Sequence, residues 1–177
     1  MISIIAATEK DFESIVNIGK VTVWEAHRES CSEEEMNEYL EKHYNNEAIK
    51  KELDDNNNIY HIIYYDQQPV GFSKIILNAA HPNIAQENVT KLDRIYLLKA
   101  FQGLKLGFEL LHFNMELAKK NDQAGMWLFT WIGNQKAVDF YLKTGFKIIG
   151  SHKFYVTEKR YNMNHQMFFD LLTPINL

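Results

Sequence analysis

The stretch that decides the fold is LDRIYLLKAFQGLKLG, residues 92–107. Its first part is apolar and aromatic and predicts a strand, which we expect to extend over residues 90–98. The second part carries Gly103 and Gly107 and leads into a helix predicted over residues 104–120. Unpaired backbone N–H groups at a helix N-terminus attract anions, so this arrangement predicts a cradle for a pyrophosphate group. Spacing alone equally allows an ordinary strand-to-helix connection with two turn glycines.

A second informative stretch is NQKAVDFYLKTGF, residues 134–146. Together the two stretches resemble the signatures of the GNAT family of N-acetyltransferases. The turn has Gln102 and Gly107 at the spacing of that family's cofactor motif, with Lys105 in place of its middle glycine. The later stretch has the family's asparagine, alanine, Phe-Tyr pair and closing Gly-Phe. Two signatures in the right order are more specific than either one alone.

The resemblance implies a fold and a cosubstrate. The fold would be the acyl-CoA N-acyltransferase fold: a single α/β (α+β mixed) domain over residues 1–177, whose central mixed, mostly antiparallel sheet is flanked by helices. Acetyl-CoA would be the cosubstrate, with the backbone of residues 95–97 pairing with the pantetheine amides as an added strand would. The residues implied to bind it are Ile95, Tyr96, Leu97, Gln102, Gly103, Leu104, Lys105, Leu106, Gly107, Asn134, Lys136, Ala137 and Lys143.

The resemblance also implies two catalytic residues. Acyl transfer from a thioester to an amine needs a deprotonated amine, a polarised carbonyl and a proton for the departing thiolate. Tyr141 is implied to be the general acid; its alternative role is that of a helix tyrosine at the core boundary. Asn134 has an alternative role as the cap of the helix that starts there.

Asp93 is the candidate base. It matches a carboxylate that faces the acceptor amine in polyamine-type members of the family. Its unperturbed pKa is near ~4, so it would order a water or hold the ammonium unless burial raises that pKa. The alternative is an aspartate paired with Arg94 or Lys91.

A finer resemblance concerns the acceptor. Residues 150–154 and 164–167 are similar to the end of the Pai-type bacterial polyamine acetyltransferases. The segment 21–26 resembles the acceptor side of the same subfamily, which implies that Trp24 and Glu25 approach the substrate.

Composition narrows the class of protein. The 177 residues are 46% hydrophobic and 24% charged, as in soluble globular proteins. No segment is apolar enough to cross a bilayer and the start of the chain lacks secretory features, so we expect a cytoplasmic protein without membrane association. A formal charge of −4 offers no attraction to nucleic acid. Cys31 is the single cysteine and the seven histidines lack metal-ligand spacing, so we predict no metal.

Hydrophobic periodicity and turn residues predict the remaining elements. Capping boxes at Thr8 with Asp11 and at Ser32 with Glu35 open two amphipathic helices. A hairpin with a loop of about four residues is predicted at 66–69. Strands are predicted over residues 2–6, 59–65, 70–77, 125–132, 146–149 and 162–171, polar turn residues over 54–58, and a helix over 134–144.

One predicted strand carries aromatic residues at alternate positions. Trp127, Phe129 and Trp131 would place three rings on one face, which favours core packing. The same face could instead help a second copy to add its sheet, and we expect a homodimer because dimers are common among similar proteins.

The leading hypothesis is therefore an N-acetyltransferase that transfers acetyl from acetyl-CoA to a primary amine, a polyamine or similar small molecule, by direct attack. Acetylation of a protein N-terminus, an aminoglycoside or an amino acid is an alternative. A CoA-binding sensor without catalysis is a third, favoured only by Lys105 in the cofactor turn.

Overall fold

The structure is a computed structural model that describes residues 1–172 and contains, within them, seven strands and five α-helices. The strands are β1 (Ile2–Ala6), β2 (Ile59–Tyr65), β3 (Gln68–Ile76), β4 (Val89–Leu97), β5 (Gly125–Trp131), β6 (Lys147–Tyr155) and β7 (Tyr161–Asp170). The helices are α1 (Phe12–His27), α2 (Glu33–His43), α3 (Asn46–Asp54), α4 (Leu106–Lys120) and α5 (Gln135–Lys143).

The strands form one sheet in the order β1-β2-β3-β4-β5-β7-β6. β4 and β5 pair in parallel, whereas the β1–β2, β2–β3, β5–β7 and β6–β7 pairs are antiparallel. The predicted mixed, mostly antiparallel sheet with flanking helices is thus confirmed. The chain forms two compact units: the first contains residues 1–75 and 94–112, and the second contains residues 76–93 and the described residues from 113 onward.

Both capping boxes of the first unit are present. The Glu35 amide donates to Ser32 Oγ (3.2 Å) and the Ser32 amide donates to Glu35 Oε2 (2.9 Å), and α2 begins at the next residue after Ser32. The box of Thr8 and Asp11 opens a single 3-10 turn, and α1 follows from Phe12.

Helix α3 was not predicted, and Asp54, expected in a polar turn, is its last residue. Asn45 caps the helix by accepting from the Ala48 amide at 2.8 Å. Its apolar face is short, because Ile49 is its one buried residue and the partly buried Leu53 follows one turn later, so periodicity has few positions to detect.

A charged cluster holds α3 in the first unit. Glu52 accepts from the Tyr60 hydroxyl (2.6 Å) and from Lys74 Nζ (2.7 Å) through Oε2, and from Arg94 Nη2 (2.9 Å) through Oε1. The Arg94 guanidinium also lies 5.0 Å from the centre of the Tyr44 ring. Burial acts to raise the pKa of Glu52. The Arg94 charge, hydrogen bonds from Lys74 and Tyr60, and the Lys74 charge outweigh burial and hold this pKa below its ordinary value of 4.5.

The β2–β3 hairpin is tighter than predicted. Its connection is the two residues Asp66 and Gln67, with φ of 47° and 67°, where a loop of about four residues was expected. Two positive φ angles match the right-handed twist of a hairpin. The tight turn is possible because Pro69 lies inside β3, at a register shift opposite Tyr64, and not in the loop.

In the second unit, β5 lies between β4 and β7. The β4–β5 ladder of the described residues runs from Val89–Gly125 to Lys91–Trp127, and β5 pairs with β7 from Gly125–Asp170 to Trp131–Asn164. Strand β6 extends to Tyr155, six residues past the predicted end, because it pairs with β7 as far as Tyr161.

Among residues 1–172, no helix combines the length and apolar character needed to cross a membrane.

The Glu52 cluster predicts a pH-dependent contribution to stability. We expect Glu52→Gln to lower the free energy of unfolding by about 3 kcal/mol at neutral pH, because it leaves two largely buried cations without their carboxylate. Since the folded pKa of Glu52 lies below 4.5, its contribution is fully present above that pH and is lost as the pH falls through the folded pKa. Urea unfolding at about pH 7 and about pH 3 measures both values.

Glu47→Gln on the exposed face of α3 is the matched control and should change stability little. Equal stability of Glu52→Gln and the wild type at neutral pH would contradict the assignment. A difference of the same size at low pH would also contradict it.

Candidate active site

The predicted cofactor turn is held firmly within the first unit. Gln102 Nε2 donates to the carbonyl oxygen of Leu97 at 3.2 Å, which ties the turn to the end of β4. Leu106, at the start of α4, is fully buried in a cluster against which Ile95 and Leu97 pack. The strand residues 95–97 and the turn residues 102–107 are therefore brought together.

The backbone of the turn is left-handed at two positions. Gly103 has φ of +89° and Lys105 has φ of +62°. Lysine thus adopts, at the place of the motif's middle glycine, a backbone conformation that glycine adopts without steric cost. Lys105 therefore differs from the motif's glycine by its side chain, whereas its backbone conformation is one that glycine adopts readily.

The turn fits an anion. Residues 102–105 are exposed, and nothing lies within 4 Å of the position of a Cβ on Gly103, so a ligand can approach the backbone there. The first N–H groups of α4 have no partners inside the helix and carry its partial positive charge. Lys105 adds a positive charge to this approach.

The second unit holds the other motif. Asn134 Oδ1 accepts from the Ala137 amide at 3.2 Å, so this asparagine caps α5. Tyr141 is only 7% exposed, and its ring lies 5.3 Å from that of Phe140 and 5.6 Å from that of Phe146. Asn134 therefore has the capping role, and Tyr141 the core-boundary position, that the sequence allowed for these residues. Lys136 and Lys143 are exposed on α5.

Asp93 has an ion-pair partner. Lys91 Nζ lies 2.7 Å from Asp93 Oδ1, and the same ammonium lies 5.5 Å from the centre of the Trp127 ring and 6.0 Å from that of Phe129. Of the two pairings considered for Asp93, the structure has the one with Lys91. The rings of Trp127 and Phe129 thus lie on one face of β5, as the alternation predicted, and both lie beside the Lys91 ammonium.

Two histidines extend this aromatic surface. The His152 ring stacks on Phe129 with a centroid distance of 4.1 Å, and the His81 ring lies 4.9 Å from Trp127. Gln166 Nε2 lies 2.8 Å from His81 Nδ1, and Gln166 Oε1 accepts from Asn83. The Gln166 amide nitrogen is therefore the donor, and a neutral His81 carries its proton on Nε2.

Comparison with known proteins decides the family. A sequence model described as the Acetyltransferase (GNAT) family matches residues 21–146. The chain belongs to the GNAT acetyltransferase family. An uncharacterized N-acetyltransferase in the pepI 3′ region of Lactobacillus delbrueckii subsp. lactis is 26% identical over 159 residues, which are 90% of this chain and 92% of that protein.

Solved structures of GNAT proteins share the fold. The PaiA N-acetyltransferase of Thermoplasma acidophilum, solved in complex with coenzyme A, has a TM-score of 0.76 and 20% identity, covering 96% of this chain and 99% of that chain. The ribosomal-protein-S18-alanine N-acetyltransferase of Escherichia coli has a TM-score of 0.67 and 16% identity, covering 100% of this chain and 99% of that chain. At these identities the likeness concerns the fold alone.

As a GNAT protein, the chain is an acetyl-CoA-dependent N-acetyltransferase. Acetyl-CoA supplies the activated acetyl group, and the exposed turn with its left-handed backbone fits the diphosphate of such a molecule. The residues that would hold it are those of the turn and the backbone of residues 95–97.

The predicted site residues belong to two different units of the structure. The turn residues, Trp24 and Glu25 belong to the first unit, where Trp24 is half-buried and Glu25 is exposed in the last turns of α1. Asp93 and Tyr141 belong to the second unit. The approach of Trp24 and Glu25 to a substrate stays a prediction.

Sequence reasoning missed two features of the surroundings of Asp93. Lys91 was considered only as a partner of Asp93, although its position two residues earlier on a strand signals a shared face. The second feature is His152, for which the sequence pattern indicated no contact with another ring. Its stacking on Phe129 depends on the β6–β7 pairing past residue 149, which the sequence pattern did not predict.

The left-handed conformation at residue 105 can be tested with two variants that both remove the charge. We expect Lys105→Gly to be more stable than Lys105→Ala by about 0.5–1 kcal/mol, because glycine relieves the steric cost but gains freedom in the unfolded chain. Urea unfolding measures the difference. Both variants should raise KM for acetyl-CoA by about two- to fivefold at low salt and by less at high salt. Lys105→Ala as stable as Lys105→Gly would contradict the backbone assignment, and an unchanged KM would contradict the role of the charge.

Proposed function

We propose that the chain acetylates a primary amine of a polyamine or a similar small amine, by direct attack of that amine on acetyl-CoA. The observation that carries the proposal is the contact between the Asp93 carboxylate and an alkylammonium group, that of Lys91, beside the rings of Trp127 and Phe129. A carboxylate next to aromatic faces favours a cationic acceptor.

The Pai-type resemblance supports the same acceptor class. It rests on the segments 150–154 and 164–167, which lie on β6 and β7 and include His152 and Gln166. The likeness in fold to a protein named PaiA N-acetyltransferase agrees with this resemblance.

In the proposed reaction, Asp93 holds the acceptor as its ammonium form, directly or through a water. The ammonium first passes a proton to water, and its neutral nitrogen then attacks the thioester carbonyl. The C–N bond forms, the C–S bond breaks, and the nitrogen loses its second proton to water. Tyr141 donates its hydroxyl proton to the departing thiolate and regains one from water. The first N–H groups of α4 and Lys105 would bind the diphosphate, and Asn134 caps the helix that carries Tyr141.

The acceptor class is tested by thiol release from acetyl-CoA. The purified protein is assayed against spermidine, spermine, simple diamines, amino acids, aminoglycosides and short peptides. We expect the highest kcat/KM with polyamines, and initial-velocity lines that intersect, because no acetylated protein forms. Turnover confined to peptides or aminoglycosides would contradict the polyamine proposal while leaving the acetyltransferase activity intact.

The two catalytic roles are tested by separate substitutions. Tyr141→Phe should lower kcat by about 10²-fold or more and leave CoA affinity unchanged, because it removes only the proton donor. Asp93→Asn should raise KM for the polyamine, because it removes the charge that holds the ammonium. Steady-state kinetics with titration of CoA binding separates these effects.

The exposed Tyr155→Phe and Asp54→Asn are matched controls that should keep wild-type kinetics. Undiminished turnover in Tyr141→Phe would overturn its assignment as the acid. An unchanged polyamine KM in Asp93→Asn would overturn the role of that carboxylate.

A further inference from the structure

Four side chains meet on one face of the second unit's sheet. The β4–β5 ladder of the described residues ends at the pair Lys91–Trp127. Because side chains alternate along a strand, Asp93 and Phe129 follow on the same face, just past that last pair. The face therefore combines an amine, a carboxylate and two aromatic rings at the point where the strands cease to pair.

The Lys91 ammonium occupies a site built for such a group. It contacts Asp93 Oδ1 at 2.7 Å and lies within about 6 Å of two ring centres, which is the range of cation–π attraction. The side chains of Lys91 and Asp93 are 27% and 19% exposed. The site is thus half-buried but open to a solute.

An uncharged histidine lies beside this site. Asp93 is the ion-pair partner of Lys91, and His81 and His152 both contact the Phe129 ring. Burial, together with the nearby His81 and Lys91, lowers the pKa of His152 from 6.5, so its ring is uncharged. The uncharged His152 ring stacks on one side of the Phe129 ring.

A buried acceptor atom lies on the same face. Asn164 pairs with Trp131 of β5 and with His152 of β6, and it is only 7% exposed. Its Oδ1 has no hydrogen-bond partner among the described residues. Because an unsatisfied buried oxygen is costly, this atom favours a ligand that carries N–H donors.

We propose that this face binds the protonated acceptor amine, and that Lys91 fills the ammonium site until an acceptor displaces it. The inference rests on the proposed function and deepens it by naming Lys91 as a residue that determines acceptor affinity. The four-carbon stem of lysine lets its ammonium move into water when another cation takes its place. An acceptor must therefore compete with a tethered ammonium, which favours polyamines, whose further N–H groups can make additional contacts.

The kinetic test uses Lys91→Met, which keeps the apolar stem and removes the charge. We expect KM for spermidine to fall about tenfold, the amount set by one ion pair and its cation–π contacts, with KM for acetyl-CoA unchanged. Lys91→Arg keeps a competing cation and should show no such fall. Lys147→Met, at an exposed position of β6, should behave as the wild type. An unchanged or raised spermidine KM in Lys91→Met would overturn the inference.

A second test needs no turnover and uses the wild-type protein. Trace isotopic acetic anhydride labels each lysine according to its accessibility, and mass spectrometry reports the labelling of Lys91 relative to Lys147. Saturating spermidine should raise the relative labelling of Lys91, because displacement moves its amine into water. Calorimetry should show tighter spermidine binding to Lys91→Met than to the wild type. Lower or unchanged labelling, or equal affinities, would overturn the inference.

The two tests separate the inference from the function beneath it. If labelling and binding respond but spermidine is not acetylated, the ammonium site stands and the proposed function fails. If spermidine is acetylated but Lys91→Met leaves both KM and binding unchanged, the function stands and the inference fails.

Discussion

The ion pair between Arg94 and Glu52 determines which side chains of β4 lie on each face of this strand. The candidate site depends on that assignment. Successive side chains of a strand point to opposite faces, so an Arg94 that bonds Glu52 leaves Asp93 on the other face. A slip of one residue would put the Asp93 carboxylate beside Glu52, where two like charges repel. The charged cluster therefore specifies the register of β4, and through it the side on which Asp93 and Lys91 lie.

The cofactor turn depends on a different constraint. Leu106 is fully buried, and the preceding residue, Lys105, has to carry the chain into α4 with a left-handed backbone. A non-glycine residue in that conformation costs about 1 kcal/mol, and such strain persists where the surrounding packing determines the path of the chain. Here the packing of Ile95 and Leu97 against Leu106 determines the path of the chain. The lysine contributes a charge at the price of a small strain.

The parts of the fold that were predictable are those set by local chemistry. The Ser32 capping box and the strand alternation of β5 each depend on residues close in sequence, and both were predicted correctly. Helix α3 was missed because it is held by Glu52, whose partners Lys74 and Arg94 are 22 and 42 residues away along the chain. Contacts of that kind follow from strand order, which no local pattern contains.

The same distinction applies to the site. The turn residues and Tyr141 were proposed from two family signatures, each of which covers neighbouring positions of the chain, and their roles stay predictions. From the sequence, the candidate partners of Asp93 were its neighbours on the strand, Lys91 and Arg94. Alternation favours Lys91, because residues two apart on a strand share a face and adjacent residues do not. The stacking of the uncharged His152 ring on Phe129 could not be predicted, because it depends on the pairing of β6 with β7.

The proposed acceptor site separates binding from reaction. A primary alkylamine with a pKa near ~10.4 is protonated at neutral pH, and only that form benefits from Asp93 and the rings. Its neutral form costs about 4–5 kcal/mol to generate at pH 7, which is well below the barrier of about 16 kcal/mol for a turnover of roughly ten per second. The Asp93 carboxylate can therefore serve the reaction by holding the ammonium, without taking the proton permanently. Up to about pH 9 the free amine stays largely protonated, so raising the pH increases the reactive fraction and kcat while KM changes little.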